Sequence, residues 1–320
     1  MSASLRTLLT RLGPFVGLVL VITLFALPAE TREYFLTYNN FKIILTQTVI
    51  VAIAALGMTM IIISGGIDLS VGSSVALTSV VGALLIQHGW GPVPVLLTVV
   101  AAGGLIGLLN GAAIAGLRMT PFIITLGTLG VARGAAKWLA DNQTVNYDAS
   151  PINGWMTTAD PFSRALPVGV WVTVALALLT AVLLRDTLFG RHLFALGSNE
   201  TAARYSGVRI TRMKILGYTT AGCFFGLAGL FQLSRLRQGG PAVPGGVELG
   251  ITASAIIGGA SLNGGVGTVL GSMIGALIMS VLRNGSQQMG WPTYFQEIII
   301  GLVIIVAVFL DRLRQGKAPA

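Results

Sequence analysis

Charged residues are scarce in this sequence. Only 10% of its 320 residues are Asp, Glu, Lys or Arg, whereas a soluble domain has roughly 25%. At the same time 54% of the residues are hydrophobic. This combination excludes a soluble globular protein. It also excludes a disordered chain, which requires low hydrophobicity and high charge.

Residues that carry catalytic or metal chemistry are also few. The single cysteine, Cys223, excludes an internal disulfide and a cysteine-based metal cluster. The two histidines, His88 and His192, are too far apart to give a metal-ligand spacing. The sequence contains neither a Gly-x-x-x-x-Gly-Lys-Ser/Thr phosphate loop nor a Gly-x-Ser-x-Gly nucleophile elbow on a strand. We therefore predict a protein that is not an enzyme, holds no metal or cofactor, and does not hydrolyse ATP by itself.

Long apolar runs and 42 glycines dominate the chain. A helix needs about 20 apolar residues to cross a hydrocarbon core of about 30 Å, and small residues let such helices pack closely. The eighth of ten candidate runs is too short to cross alone, which predicts a broken or re-entrant segment. We predict an all-α polytopic membrane protein of about ten transmembrane helices, at 14–28, 42–63, 70–88, 93–117, 121–140, 167–184, 213–234, 248–260, 264–283 and 292–310.

The net charge of +9 lies mostly between the apolar runs. This placement is typical of membrane topology signals and argues against a nucleic-acid partner. With ten spans and a cytoplasmic N-terminus, twelve of the twenty Lys and Arg residues fall inside, six of them in 185–214. The outside segment 141–166 has three aspartates against one arginine. We therefore predict that both termini are cytoplasmic and that 185–214 is the one sizeable cytoplasmic loop.

The loop 185–214 contains a pattern for a short capped helix. Ser198 or Asn199 can cap its N-terminus, Glu200 suits the positive end of the helix dipole, and Gly207 can end it. A helix of this size between membrane spans is either a docking element for a partner or a plain interfacial connector. The residues alone leave both interpretations open.

Asp68 lies between two long apolar runs, where a carboxylate is costly unless it is paired or hydrated. Nearby Gly65, Gly66 and Gly72 permit non-helical backbone, which membrane proteins tolerate only inside protein or along a cavity. One interpretation is a proton- or ion-coupling site. The favoured one is a turn residue that caps the next helix, whose amides start near Ser70.

Glycines recur at four-residue spacing in the fourth and the ninth span. Such spacing places each set on one helix face that can pack closely. Spans that are five apart in a ten-span chain run in opposite directions, so this pattern hints at an inverted five-plus-five repeat. The two sets are Gly103, Gly107 and Gly111, and Gly267, Gly271 and Gly275.

Several polar residues within the spans are candidates for a solute path. Asn110, Thr125 and Thr128 are the preferred set, although a threonine hydroxyl can also bond back to its own helix. Arg133 and Lys137 lie late in their span and can extend towards water. The remaining candidates are Gln47, Thr219, Thr220 and Glu248.

Four segments together resemble one family. They are Ser-Gly-Gly-Ile-Asp-Leu-Ser-Val-Gly-Ser (64–73), Pro-Phe-Ile-Ile-Thr-Leu-Gly-Thr (121–128), Gly-Ser-Asn-Glu-Thr-Ala-Ala-Arg-Tyr-Ser-Gly-Val (197–208) and Gly-Gly-Ala-Ser-Leu-Asn-Gly-Gly-Val-Gly-Thr (258–268). The chain is similar, essentially end to end, to the permease subunit of bacterial ABC sugar importers of the ribose type. The segment 141–166 has no pattern that we recognise.

The resemblance implies a single permease domain over 1–320 in the bacterial inner membrane, surrounded by lipid. A second permease, identical or paired, a cytoplasmic ATPase and a periplasmic binding protein would complete the transporter. The segment 197–208 matches the family's coupling helix within the loop 185–214. The resemblance therefore implies ATPase contact for Gly197, Ser198, Asn199, Glu200, Ala202, Ala203 and Gly207, and a structural motif near the solute path at Gly65, Gly66, Asp68 and Ser70.

We thus predict a permease subunit that carries a sugar or a sugar-like solute. An ABC permease for nucleosides or branched-chain amino acids is the main alternative. A self-contained secondary transporter would need an ion-coupling site, for which Asp68 and Glu248 are the candidates. A channel would need no coupling helix.

Overall fold

The computed structural model describes residues 3–156, 165–242 and 246–315. The part of the predicted outside segment between 157 and 164 lies outside the described residues. Within the described ranges the chain is almost entirely helical. The helices are α1 (Ala3–Ala26), α2 (Ala29–Phe35), α3 (Tyr38–Ile63), α4 (Val71–Gln87), α5 (Pro92–Leu117), α6 (Pro121–Leu139), α7 (Val168–Asp186), α8 (Leu188–Ser198), α9 (Glu200–Tyr205), α10 (Ile210–Leu236), α11 (Val247–Ile257), α12 (Val269–Gln288) and α13 (Thr293–Gln315).

The predicted all-α membrane architecture is confirmed. Each of the ten predicted spans coincides with one helix, and α2, α8 and α9 lie between spans. By length and composition α3, α5, α7, α10 and α12 can cross a membrane, and α1, α4, α11 and α13 contain shorter apolar stretches. Helix α11 has 11 residues, about 16 Å at 1.5 Å per residue. It is too short to cross alone, as the eighth run predicted.

Tertiary contacts distinguish two ends of the helix bundle. At one end the short strands β1 (Val145–Asn146) and β2 (Gln238–Gly239) pair antiparallel, and Gln87 at the end of α4 donates a hydrogen bond to the Asn146 carbonyl. At the other end the end of α3 meets the end of α8 and the loop before α12. We call these the strand end and the α9 end. Helices α4, α6 and α10 thus run towards the strand end, whereas α3 runs towards the α9 end.

The helices pair in a pattern that an inverted repeat produces. Helix α5 packs on α10, and α12 packs on α3. Likewise α4 packs on α10 and α6, whereas α11 packs on α3 and α13. If α3, α4, α5 and α6 correspond to α10, α11, α12 and α13, each pairing in one half maps onto a pairing in the other.

The glycines of α5 and α12 pack against different helices, although the two halves of the chain pair their helices in the same way. Gly103 and Gly107 lie against the backbone of α10. Gly275 instead lies against the Ser254 carbonyl of α11, and Gly271 against the Gly258 carbonyl just beyond it. The prediction of three glycines on one face of the ninth span is wrong for Gly267, which lies in the loop before α12 and packs against Ile63 of α3. Gly271 and Gly275 do pack closely, but not on the helix that corresponds to α10.

The α5–α10 contact depends on the missing side chain at Gly107. A Cβ atom there would lie 2.1 Å from the Tyr218 carbonyl oxygen, whereas one at Gly116 of the same helix would meet nothing within 4 Å. We predict that Gly107→Ala destabilises the protein by about 1–3 kcal/mol, the usual cost of overpacking, and that Gly116→Ala does not. Thermal unfolding in detergent, followed by fluorescence-detected size-exclusion chromatography, measures the difference. Equal midpoints for the two variants would contradict this packing.

Candidate functional site

A buried carboxylate lies in the break between α3 and α4. Asp68 is 1% exposed, although charged side chains are almost never fully buried without partners. Its Oδ1 atom accepts hydrogen bonds from the Ser70 amide, at 2.8 Å, and from the Ser70 hydroxyl. These two bonds fold the chain into a tight turn immediately before α4.

Two further helices complete a polar network around this carboxylate. From α5, Asn110 Nδ2 donates to Asp68 Oδ2 at 3.3 Å and to Ser70 Oγ at 3.0 Å. From α6, the Thr128 hydroxyl donates to Asn110 Oδ1 at 2.6 Å. Asn110 and Thr128, which were predicted to line the solute path, therefore form one network with Asp68 and Ser70 of the predicted structural motif. In this conformation their polar atoms are bonded to one another.

The Thr125 hydroxyl bonds back to its own helix, which is the alternative to a place on the solute path. Its hydroxyl lies 2.9 Å from the Pro121 carbonyl of its own helix and 3.4 Å from the Ile67 carbonyl. The Tyr218 hydroxyl of α10 donates to the same Ile67 carbonyl at 3.3 Å. The non-helical backbone beside Asp68 is thus held from two sides.

The predicted helix-cap role of Asp68 needs a correction. Ser70, not Asp68, occupies the N-cap position of α4, and its side chain makes no cap bond there. Asp68 precedes the cap and accepts the Ser70 amide two residues on, as an Asx-turn does. The carboxylate still satisfies an amide at the start of the helix, through a turn rather than through the first helical residues.

Gly65 and Gly66 allow α3 to end where it does. Gly65 has φ of +80°, which favours glycine. Its amide and that of Gly66 bond back to the carbonyls of Ile62 and Ile61. A Cβ atom at Gly66 would lie 2.4 Å from the Tyr218 hydroxyl, so this contact also needs glycine.

The predicted capped helix in the loop 185–214 is α9. Asn199, rather than Ser198, is its N-cap, and Asn199 Oδ1 accepts the Ala202 amide at 2.9 Å. Gly207 ends it with φ of +86°. The Gly207 amide bonds to the Arg204 carbonyl and the Val208 amide to the Ala203 carbonyl, both at 3.0 Å, which is a Schellman motif. Both ends of this short helix are therefore closed.

Helix α9 lies at the surface of the protein and carries charged and exposed side chains. Glu200 accepts from Lys214 of α10 at 2.8 Å and lies 3.4 Å from Arg204. Tyr205 is 86% exposed, whereas Ala203 packs inward. An exposed tyrosine on a fixed helix is typical of a surface that binds a protein partner.

The sequence did not indicate that a second helix, α8, supports α9. Thr187 caps α8 by accepting the Gly190 amide at 3.2 Å, and this Thr before an apolar run is the signal that could have predicted it. Leu193 and Leu196 of α8 pack in a cluster with Met60 and Ile63 of α3. Helix α9 is therefore attached to the membrane core through α8.

Three of the motif segments meet at the α9 end. The Gly265 amide donates to the Ile63 carbonyl at 2.9 Å. A Cβ atom at Gly197 would lie 1.8 Å from that same carbonyl oxygen and 2.6 Å from the Gly265 nitrogen. We call Ile63, Gly65, Gly197, Gly264 and Gly265 the glycine junction. It joins the end of α3, the end of α8 and the loop before α12 by direct backbone contact.

Arg133 pairs across helices rather than only extending towards water. Its guanidinium lies 3.9 Å from the Glu248 carboxylate at the start of α11, and its side chain remains 46% exposed. A Cβ atom at Gly72 would lie 2.7 Å from Glu248 Oε2, so the carboxylate also adjoins the first turn of α4. A carboxylate at a helix N-terminus is stabilised by the helix dipole.

The unassigned segment 141–156 forms a cover at the strand end. The Tyr147 hydroxyl donates to Asn153 Oδ1 at 2.7 Å and contacts the Leu233 carbonyl at 3.2 Å. The Ser234 hydroxyl donates to the Ile152 carbonyl at 2.6 Å. Burial raises the pKa of Tyr147 to about 12, so this hydroxyl keeps its proton at physiological pH.

The chain is similar in sequence to known permeases over most of its length. Residues 40–308 match the family model described as the branched-chain amino acid transport system permease component. The ribose import permease protein RbsC of Escherichia coli (strain K12) is 35% identical over 302 residues, covering 93% of this chain and 94% of the relative. That of Bacillus subtilis (strain 168) is 38% identical over 308 residues, covering 94% and 92%. The D-allose transport system permease protein AlsC of Escherichia coli (strain K12) is 35% identical over 306 residues, covering 94% and 91%. No solved structure matches the chain.

The Asp68 network predicts different effects for two substitutions. In Asp68→Asn the Oδ1 atom still accepts both Ser70 donors, and a flipped Asn110 amide can accept from the new amide group. In Asp68→Leu the buried Ser70 and Asn110 groups lose their partner, at about 1–3 kcal/mol for each unsatisfied group. We therefore expect most solute uptake to remain in Asp68→Asn and to be lost in Asp68→Leu.

The measurement is uptake into vesicles at matched expression, with Asp148→Leu at the strand end as the control. Asp148 is exposed, so its replacement should change little. Loss of uptake in Asp68→Asn at normal expression, together with dependence on the proton gradient at clamped ATP, would contradict the structural role and favour ion coupling.

Proposed function

The chain belongs to the family of branched-chain amino acid transport system permease components, and from this premise we propose that it is the permease subunit of an ATP-driven importer of sugars. The solute would be a sugar or a sugar-like polyol, and the membrane would be the bacterial inner membrane. One observation carries the proposal: sugar import permeases match more than 90% of the chain at 35–38% identity.

The energy for transport would come from a separate subunit. The chain has no phosphate-binding loop, so ATP hydrolysis is proposed for an ATPase bound at the α9 end. A binding protein that delivers solute at the strand end and a second permease, identical or paired, would complete the assembly. The basic residues of 185–214 favour a cytoplasmic α9 end and cytoplasmic termini.

We propose 185–214 as the coupling loop and α9 as its contact with the ATPase. The capping of α9 at both ends and its attachment through α8 support this role, because a helix that transmits movement from a partner must stay folded when the partner moves it. Of the predicted residues, Ser198, Asn199, Glu200, Ala202 and Gly207 would form the contact. Gly197 lies instead in the glycine junction, and Ala203 packs inward.

The proposed path past Asn110, Thr125 and Thr128 is closed in this conformation. The Thr128 hydroxyl bonds to Asn110, and the Thr125 hydroxyl bonds to the Pro121 carbonyl of its own helix, so a solute would reach these groups only where α4, α5 and α6 separate. Gly65, Gly66, Asp68 and Ser70 would then keep the start of α4 intact while neighbouring helices move.

An importer of nucleosides or branched-chain amino acids is the second candidate. The description of the matching family model names branched-chain amino acid transport, which is the observation in its favour. An ion-coupled transporter is disfavoured, because both oxygens of Asp68 accept hydrogen bonds from protein groups.

The function is tested by uptake into proteoliposomes that contain the permease, its ATPase and its binding protein. The panel is radiolabelled ribose, galactose, allose, arabinose, a nucleoside and leucine. We predict ATP-dependent accumulation of at least one sugar, unaffected by an uncoupler when ATP is held constant. Accumulation of leucine or of the nucleoside alone would replace the sugar assignment, and uptake that follows the proton gradient would contradict the ATP-driven class.

A further inference from the structure

Two arginines near the strand end of the bundle line one small cavity. Arg235 is in the last turn of α10, Arg283 is in α12, and Gln47 of α3 faces the same space. No carboxylate among the described residues lies within 4.0 Å of either guanidinium. Cationic side chains within membrane helices are costly and mark functional sites when no partner neutralises them.

The cavity also holds an unused acceptor. Gln47 Oε1 is buried and has no hydrogen-bond partner in the described part of the chain. The Ser280 hydroxyl, which lines the cavity, donates its proton to the Ala276 carbonyl at 2.9 Å, so only its oxygen lone pairs remain. The residues that line the cavity therefore include two guanidinium groups that can donate and two side chains, Gln47 and Ser280, with an oxygen atom that can still accept.

This arrangement matches a hydroxyl group. An anion could accept from the arginines but could not donate to Gln47 Oε1 or Ser280 Oγ, and an ammonium group could do only the reverse. A hydroxyl both donates and accepts. The enclosed volume of about 30 Å³ accommodates a group of water size, such as one hydroxyl of a larger molecule.

A larger groove is also lined by Arg283 and therefore adjoins the cavity. It has a volume of about 510 Å³ and is lined by Arg283, Gln287, Gln296 and Glu297, among others. This size and its few polar groups are within the range of small-molecule sites. Arg283 lines both spaces, so a solute in the groove would lie next to a residue that also borders the cavity.

We propose that Gln47, Arg235 and Arg283 form a subsite for one hydroxyl group of the transported solute, entered from the groove between α11, α12 and α13. The proposal rests on the proposed sugar import and adds a place of contact in the membrane subunit. The subsite would also let the permease select solutes that carry a hydroxyl group, because a solute without one leaves both the arginines and Gln47 unpaired.

The test compares uptake efficiency, kcat/KM, in the assembled transporter for the sugar that the panel identifies and for each of its monodeoxy analogues. For each compound, the ratio of variant to wild type cancels selection by the unchanged binding protein. Gln47→Leu and Arg283→Gln should lower kcat/KM for the parent sugar about two- to tenfold, the effect of one lost hydrogen bond. For the one analogue that lacks the bound hydroxyl, the same variants should have no further effect.

The matched control is Arg32→Gln in α2, which removes an exposed positive charge and should leave every ratio near one. Equal sensitivity of all analogues to Gln47→Leu would show a purely structural role and overturn the proposal. Unchanged uptake in all variants would show a cavity that holds only water and would also overturn it. Transport of leucine, which has no hydroxyl, would refute the proposed function and this inference together, whereas sugar transport with either preceding result refutes the inference alone.

Discussion

Where a membrane helix breaks, its freed backbone groups must be satisfied inside the protein, because lipid offers no hydrogen bonds. The chain breaks in this way at 64–70 and at 258–268. At the glycine junction the Gly265 amide bonds to the Ile63 carbonyl, and Gly197 packs against both. The backbones at the end of α3, at the end of α8 and in the loop before α12 approach closely enough to satisfy one of these groups. This approach requires glycine at the contact.

The same junction links the exposed helix to the membrane core. Helix α9 is attached to α8, α8 packs on α3 by Leu193 and Leu196, and α3 continues into the turn that Asp68 holds. Between α9 and the Asp68 network lie α8, the end of α3 and the turn at 64–70, to which Ser70, Thr125 and Tyr218 contribute hydrogen bonds. A displacement of α9 would therefore be passed to the start of α4 through packed backbone, which suits a subunit that receives its energy from a partner.

Features that depend on one stretch of chain could be predicted from the sequence. The apolar runs indicated ten spans, and the Asn199 and Gly207 pattern indicated α9 and its ends. Features that depend on distant contacts could not. Asn110 and Thr128 were recognised as polar residues within spans, but only the packing of α5 and α6 shows that they bond to each other and to Asp68. The glycine junction joins residues more than 130 positions apart, and no local pattern encodes that contact. Helix α8 was missed because its Thr187 cap was not considered.

We propose that the glycine junction couples α9 to the membrane helices. The direct test measures ATP hydrolysis and solute uptake in the same proteoliposomes for Gly197→Ala, with Gly116→Ala as the control. A Cβ atom at Gly197 would lie 1.8 Å from the Ile63 carbonyl oxygen, so the junction must open, whereas Gly116 has free space. We predict that the Gly197→Ala transporter continues to hydrolyse ATP but takes up less solute per ATP. An unchanged ratio of uptake to hydrolysis in a stably folded Gly197→Ala transporter would contradict it.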